Sequence, residues 1–360
     1  MQVILDFLKR YQIEPQAIAI GVSGGADSLA LALLLHDICP DYKIIALTVD
    51  HGLRPSSHQE ALYVAEVMSH FGIEHHILKW KGKKPTTGIE EKARLARYDL
   101  LYNWCIQHQV KYLSLAHHLL DQAETFLMRL ERGSGVYGLS SMQDIVSFRD
   151  ISLIRPLLYT HPQELKKYLK EKNISWVEDE SNQCTDFLRV QMRQFLPLLQ
   201  ENTGITPERL CLAVKNLQRT RQFIDSLVQN TIRDKIHLWG SVGCSFDYHE
   251  FLSWHDELKF YVLRELIILI GGDDYMPTAD ALIEQIQQLK SADFSGSTLG
   301  HVYFMINDLR IWMIKEYRTD NLPLSENDWK TFEKENPSVR GVKIPYKLKL
   351  ALFYEKKHEK

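Results

Sequence analysis

The sequence predicts an α/β protein: an open, parallel, twisted sheet flanked by helices, followed by a smaller and mostly helical domain. Three observations carry this. Short apolar runs alternate with longer helical patterns between residues 17 and 154. A glycine-rich turn, Ser23-Gly24-Gly25, joins the first run directly to the first long apolar helix. Near residues 201–207 the alternation stops and helical periodicity takes over. Strands separated by helices of this length call for crossover connections, hence a parallel sheet covered on both faces. A single core seldom grows beyond ~250–300 residues, so a chain of 360 residues is expected to divide.

The elements follow in order. Residues 17–22 are expected as a strand and 28–37 as a helix, whose run 29–35 is wholly apolar and suits a buried element. Residues 43–49 give a second strand and 56–71 a second helix; 73–80 a third strand and 89–109 a long helix. Residues 112–116 give a fourth strand, 121–132 a helix, and 152–154 a fifth strand. Thr206-Pro207 pairs an N-cap with proline at the first helical position. Helices are then expected at 207–236, 248–270 and 278–290, with a hairpin of 300–306 and 310–315 turning at Asn307-Asp308. The expected division is an α/β domain over 1–205, a mostly helical domain over 206–317, and a loosely attached polar tail over 318–360.

Composition narrows the function. The chain is 45% hydrophobic and 25% charged, which excludes collagen-like, low-complexity and wholly disordered classes. Lys and Arg number 43 against 46 Asp and Glu, a net charge of -3, which speaks against a wholesale polyanion binder but leaves room for a basic stripe. No segment approaches the roughly 18 consecutive apolar residues of a spanning helix. Residues 1–15 carry Asp6, Lys9 and Arg10 within their apolar pattern, so they read as an amphipathic helix and not a signal peptide. The cysteines (Cys39, Cys105, Cys184, Cys211, Cys244) are scattered without a C-x-x-C pair, which suggests reduced thiols and a cytoplasmic protein.

The informative stretch is Ser23-Gly24-Gly25-Ala26-Asp27-Ser28, between the first strand and first helix. Two glycines let the backbone turn tightly and point its N–H groups at one centre. The following helix adds its positive end, and the two serines can donate hydroxyls, so the stretch is an anion site of the kind that cradles phosphate. Asp27 would repel a bare phosphate, which suggests a bridging magnesium ion. The plain alternative is a glycine turn with a capped helix. There is no Walker-type G-x-x-x-x-G-K-[ST]. The literal G-x-G-x-x-G at Gly133, Gly135 and Gly138 follows a helix and not a strand, so it reads as a helix C-terminal glycine and a loop.

The S-G-G-x-D-S pattern resembles the loop of the N-type ATP pyrophosphatases, which cleave ATP between the α- and β-phosphates. Further stretches narrow the likeness. Asp50-His51-Gly52-Leu53-Arg54, Glu90-Glu91-Lys92-Ala93-Arg94, Arg97-Tyr98, Ala116-His117-His118, Asp121-Gln122-Ala123-Glu124-Thr125, Arg132-Gly133-Ser134-Gly135, Arg155-Pro156-Leu157-Leu158 and Glu178-Asp179-Glu180-Ser181-Asn182 occur in that order. Together they look like the tRNA(Ile)-lysidine synthetases, over roughly the first 200 residues. The second domain is similar to that family's tRNA-binding domain only in position and general pattern. Leu120, Pro162 and Val190 depart from residues usual in the family.

The resemblance implies an adenine nucleotide alpha hydrolase-like fold and a ligase. Its substrates would be ATP with Mg2+, free L-lysine and the CAU-anticodon tRNA(Ile), whose wobble cytidine is adenylated at its C2 oxygen and then attacked by the lysine ε-amine. It implies ATP contacts from Ser23, Gly24, Gly25, Ala26, Asp27, Ser28, Asp50 and Arg94. Catalytic roles fall to Asp27, His117, Asp121 and Glu124, and magnesium to Asp27 and Asp121. Contacts to tRNA fall to Arg97, Arg132 and Arg189. The residues themselves leave structural readings open. Asp50 suits a loop cap, and Glu90, Arg94 and Arg97 share one helix face as a salt-bridge ladder would. Asp121 and Glu124 stand three apart as in a capping box. His117 and Glu124 are both candidates for the base that deprotonates lysine, and the sequence does not choose.

Basic residues at Lys79, Lys81, Lys83 and Lys84, and at Lys166, Lys167, Lys170 and Lys172, suit RNA phosphates or a solvated surface alike. Histidine pairs at 75–76 and 117–118 do not match a zinc site. A homodimer stays open. So do another α–β-cleaving ATP enzyme acting on tRNA and, from a different class, a nucleotide-binding regulator without catalysis. An iron–sulfur thiolase would want clustered cysteines, and a GMP synthetase its own dimerisation region and ammonia source; neither is found.

Overall fold

The computed structural model describes residues 2–54, 56–82, 84, 87–178, 188–272, 277–316, 324–336, 339–340 and 342–358. Two compact units emerge, Met1–Arg221 and Gln222–Lys360. The first contains α1 (Gln2–Arg10), β1 (Ala17–Gly21), α2 (Ala26–Ile38), β2 (Lys43–Asp50), α3 (Ser57–His70), β3 (Glu74–Lys79), α4 (Ile89–Gln107), β4 (Tyr112–Ser114) and α5 (Leu119–Glu131). Next come α6 (Val136–Leu139), β5 (Ile145–Phe148), β6 (Ile151–Ile154), α7 (Pro162–Glu171) and α8 (Leu188–Thr203), and then α9 (Pro207–Lys235), which continues into the second unit.

The strand order is β3-β2-β1-β4-β6-β5. All neighbours run parallel except β5, which pairs antiparallel with β6 at the edge. The parallel, helix-covered sheet expected from the alternation is therefore present, with an added antiparallel strand. Successive residues of β1 serve two separate cores. Ile18 and Ile20 join the helices α1, α2, α3 and α7 on one face, while Ala19 faces Leu101, Trp104 and Cys105 of α4 on the other. Continuous apolar strands are what a sheet buried on both faces requires. In α2 the whole apolar run from Leu29 to Leu35 is buried, so truncating Leu31 or Leu33 to alanine would cost about 2–5 kcal/mol.

This topology places a ligand crevice. Chain order along the sheet reverses at β1, whose neighbours are β2 and β4. The connections leaving β1 and β4 depart in opposite directions and open a gap beyond the carboxyl ends of those strands, where ligands bind in open α/β folds. The Ser23–Ser28 turn leaves β1 there, and His117 leaves β4 there.

The second unit carries β7 (His237–Leu238), β8 (Gly243–Asp247), α10 (Tyr248–Ser253), α11 (Asp256–Gly271), α12 (Ala279–Lys290), β9 (Ser297–Leu299), β10 (Val302–Asn307), β11 (Arg310–Lys315), α13 (Glu326–Glu335) and α14 (Tyr346–His358). Its helices accompany an antiparallel sheet of order β7-β8-β11-β10-β9, of which the sequence pattern had yielded only the β10–β11 hairpin. That hairpin turns on Asp308 and Leu309, both at positive φ (50° and 57°), one residue beyond the expected centre. Two consecutive positive φ values are the signature of a type I′ connection. The single helix expected over 248–270 is divided at Trp254, because His255 caps α11 by accepting from the Glu257 N–H at 3.2 Å.

The expectation of a loosely attached polar tail over 318–360 is corrected. Trp329 and Phe332 of α13 and Leu348 and Ala351 of α14 are buried with Trp239, Trp312 and Ile314 in one apolar cluster. Each helix presents a narrow apolar stripe at i, i+3 spacing, which the surrounding Lys and Glu residues masked in composition. Residues 318–323 and the final two lie outside the described residues, as do Lys83, Cys184 and most of the 178–182 motif. Among the described residues no helix is long and apolar enough to cross a membrane, and Cys39, Cys105, Cys211 and Cys244 are free and buried.

Candidate active site

The turn after β1 is built around Gly24, whose φ of 87° lies in the left-handed region. Its carbonyl accepts from the Val177 N–H at 3.0 Å, tying the turn to the segment after α7. A Cβ on Gly24 would stand 3.3 Å from Val64 Cγ2 and 3.5 Å from Val177 Cγ2. Gly25 is the N-cap of α2 and brings no side chain to its first turn. The leading N–H groups of that turn, at the positive end of the helix dipole, are thereby left for a ligand. Ser28 Oγ donates to Gly25 O at 3.0 Å and accepts from the Ser23 N–H at 3.1 Å. Its one proton is thus committed, so in the 3.3 Å contact between the two hydroxyls Ser23 is the donor.

Asp27 sits in the same first turn. Its Oδ2 lies 3.5 Å from His118 Nε2, while its Oδ1 is buried without a hydrogen-bond partner. A buried carboxylate oxygen left unpaired is costly and points to a missing cation or donor. His118 also caps α5: its Nδ1 accepts from the Asp121 N–H at 3.3 Å, and the Asp121 carboxylate accepts from the His118 N–H at 3.0 Å. The capping box at this helix is therefore His118 with Asp121, not Asp121 with Glu124, because the helix begins at Leu119. Burial works against charge on His118. The bond to Asp27 and the charges of Asp121, Asp27 and Glu124 outweigh it and hold the imidazole above its ordinary value. The loop aspartate and Asp121 are thus joined through one imidazole.

His117, the preceding residue, has a different environment. Its Nδ1 accepts from Arg155 Nε at 3.2 Å. Burial pushes its pKa well down; Asp121 pulls the other way, while Arg155, Arg189 and Arg97 add to the fall. These charges bring Arg97 from α4, Arg155 from the end of β6 and Arg189 from α8 to bear on one ring. Arg97 Nε is buried without a hydrogen-bond partner. His51, following β2, is likewise pushed down by burial and then by Arg97 and Lys84, and its Nδ1 is also an unpaired buried atom.

Glu124 lies one turn beyond Asp121 and has no solvent exposure. Arg193 grips both its oxygens, Nε at 2.7 Å and Nη2 at 3.4 Å, and Arg189 Nε lies 3.4 Å away. Burial pushes the Glu124 carboxyl up and the arginines oppose this. The group is therefore a buried ion pair that joins α5 to α8.

The remaining expected residues divide. Asp50 ends β2 and closes its own loop, accepting from the Gly52 N–H at 3.0 Å, with His58 Nδ1 3.2 Å from its other oxygen. That is the cap-like use open to it from the sequence. Arg94 is exposed beside Tyr98 and bears on Arg155. Arg132 is exposed at the far end of α5, about 20 Å along the helix from His118, so it is not gathered with the others. Gly133 has φ 65°, and with Ser134 it returns N–H bonds to Leu130 O and Arg129 O. This Schellman closure accounts for the G-x-G-x-x-G pattern without a nucleotide.

Of the two lysine clusters, Lys84 donates to Trp80 O and Lys172 pairs with Asp37 at 2.6 Å, whereas Lys79, Lys81, Lys166, Lys167 and Lys170 are exposed. His75 and His76 bond Thr48 and Glu74, and among the described residues no cluster of three metal-ligating side chains occurs. The family departures are structural: Leu120 packs in the apolar cluster between α5, α8 and α9, Val190 is buried in α8, and Pro162 starts α7. Sequence reasoning missed His118, Arg155 and Arg193 as site residues. The first two lay inside quoted motifs. Arg193 offered only its i, i+4 spacing from Arg189.

Residues 2–199 match the family described as PP-loop domain. A tRNA(Ile)-lysidine synthase of Wolbachia pipientis wMel is 35% identical over 319 residues, covering 86% of this chain and 74% of that relative. One from Ruegeria pomeroyi is 34% identical over 306 residues, covering 84% and 72% respectively. Among solved structures, a U34-tRNA thiolase from Methanococcus maripaludis is similar with a TM-score of 0.51 and 20% identity, covering 61% of this chain and 79% of that one. That likeness bears on the fold alone.

Proposed function

Because the chain belongs to the PP-loop domain family and to the tRNA(Ile)-lysidine synthases, we propose that it ligates lysine to the wobble cytidine of a CAU-anticodon tRNA(Ile). The observation that carries this reading is the crevice itself. A side-chain-free helix start, an unpaired Asp27 oxygen and three arginines converge where the fold opens for a ligand.

In the first step the C2 carbonyl oxygen of cytosine attacks the α-phosphorus of ATP, and the bond from that phosphorus to the bridging oxygen breaks. Pyrophosphate leaves, and its growing charge meets the N–H groups of Gly25–Ser28. Such preorganised donors are the main source of rate in phosphoryl chemistry. In the second step the lysine ε-amine, having lost a proton, attacks C2 and AMP departs with the oxygen.

Magnesium fits the residues present: Asp27 Oδ1 is buried and unpaired, and such ions are held by one or two carboxylates together with substrate phosphates. Asp27 would hold it with Asp121, and bound there it would neutralise phosphate charge. His118 orients both carboxylates. Arg94 and Arg97 serve the nucleotide and tRNA phosphates, joined by Arg132, Arg189 and the exposed lysines. Glu124 acts chiefly through Arg193 and Arg189, by holding α8 against α5. Free lysine, tRNA and ATP meet in the cytoplasm, where reduced thiols also persist.

Pyrophosphate release without lysine tests the first step. With an unmodified CAU-anticodon transcript present, release should depend on that RNA and leave it heavier by one adenylyl group. ATP binding with no release in the presence of tRNA and lysine would favour a non-catalytic regulator.

A further inference from the structure

The contact between Arg155 and His117 settles which nitrogen of His117 carries hydrogen. Arginine is a donor only, so a guanidinium N–H at 3.2 Å from Nδ1 requires a lone pair there. A neutral ring with that lone pair keeps its proton on Nε2.

Arg155 is itself held from several sides. It is 8% exposed, its Nη1 donates to Gln143 O at 2.8 Å, and its backbone N–H donates to Asp144 O at 2.9 Å. The loop it grips is clamped in turn: Gln122 donates to Met142 O at 2.7 Å and accepts from the Met142 N–H at 3.0 Å. Gln218 of α9 donates to the same Met142 carbonyl at 2.7 Å. The guanidinium is thus a fixed part of the crevice wall, and His117 lies half-buried against it among further arginines.

We propose that Arg155 is a positioning residue that locks His117 in the Nε2–H tautomer, so that His117 serves as a hydrogen-bond donor to a substrate oxygen gaining negative charge and not as the base for lysine. The tautomer follows from the contact alone; its use in catalysis rests on the lysidine-forming reading above. Of the two base candidates the sequence left open, one is thereby a donor, and the other, Glu124, is occupied by arginines.

The tautomer is read on the full chain carrying 15N-labelled histidine, by long-range proton–nitrogen correlation, with His117→Gln identifying the signals. The expected wild-type pattern is a pyridine-type Nδ1 and a pyrrole-type Nε2. Arg155→Met should release the ring into a mixture of tautomers, and Arg155→Lys, which keeps a donor, should restore part of the wild-type pattern. Should Arg155→Met not fold, the wild-type spectrum still decides: a pyrrole-type Nδ1 or an imidazolium overturns the proposal.

The kinetic arm uses lysine ligation. His117→Gln keeps an N–H and should retain at least about a tenth of the rate, whereas His117→Ala should lose about 10²–10³-fold, the usual effect of one lost donor. Equal losses in the two variants, of the 10²–10⁴-fold size typical for a missing base, would overturn the donor role. Wild-type protein that ligates no lysine would count against the function proposed above, while the tautomer result would stand by itself.

Discussion

Substituting Glu124 by glutamine should unfold the first unit more readily before it says anything about catalysis. The carboxylate has no solvent exposure and is gripped by Arg193 at 2.7 and 3.4 Å. Breaking a buried pair by removing one charge costs about 3–5 kcal/mol, because the other charge is left uncompensated. Here the Arg193 and Arg189 side chains are each 38% exposed and regain some hydration, so the expected loss is about 2–3 kcal/mol. For a unit of this size that lowers Tm by about 5–10 °C. Urea unfolding of the wild type, Glu124→Gln, Arg193→Met and the double variant should give a coupling of at least about 1.5 kcal/mol. A Glu124→Gln protein within about 0.5 kcal/mol of wild type, with no coupling to Arg193, would refute the reasoning. The carboxylate would then be free for substrate.

Four further outcomes rest on particular residues. Gly24→Ala forces a left-handed φ of 87° on a side chain at a cost of about 1–2 kcal/mol and puts its Cβ 3.3 Å from Val64, so ATP affinity by calorimetry should fall at least about tenfold. Gly25→Ala, at φ -71°, should stay within about 1 kcal/mol of wild-type stability. Burial, and secondarily His76, pushes the His75 pKa from 6.5 down to about 4. Between those values the unfolded chain takes up a proton that the folded chain refuses, so stability falls as pH drops through that window. The loss is on the order of 1–2 kcal/mol after allowance for solvent screening, and His75→Gln should remove it from denaturation curves. If Lys79, Lys81, Lys166, Lys167 and Lys170 all contact RNA phosphates, raising salt from 50 to 200 mM should weaken tRNA binding by about 10²–10³ in a filter-binding titration. A flat salt response would assign those lysines to solvent.

What the sequence made legible was local. The turn at Ser23–Ser28 could be read because glycine, small hydroxyls and an apolar run each act within a few residues of one another. The order of strands and helices in the first unit followed from the same short-range periodicity. β5 escaped notice because its four residues gain their place only by pairing across the Arg149-Asp150 turn with β6. The sheet of the second unit escaped for a related reason: β8 finds its partner β11 more than sixty residues later, and β7 has only two residues. The helices near the C-terminus were hidden by charge, since Trp329, Phe332 and Leu348 are sparse among lysines and glutamates.

In the site, His117, Asp121 and Arg189 were legible as members of a pattern, but their chemistry was not. The difference between His117 and His118, adjacent in sequence, is set entirely by what faces them: an arginine from the end of β6 on one, two aspartates on the other. Glu124 likewise changes from a catalytic candidate to a buried ion-pair member once α8 is folded against it. Apart from the local His118–Asp121 pair, these contacts join residues 38 to 91 positions apart and leave no trace in spacing.

Lysine ligation is tested most directly by following radiolabelled lysine into an unmodified CAU-anticodon isoleucine tRNA transcript with ATP and magnesium. Incorporation into that tRNA, absent with a methionine tRNA and abolished in Asp27→Ala, is the predicted result. Folded protein that binds ATP yet transfers no lysine, or that labels both tRNAs alike, would contradict it.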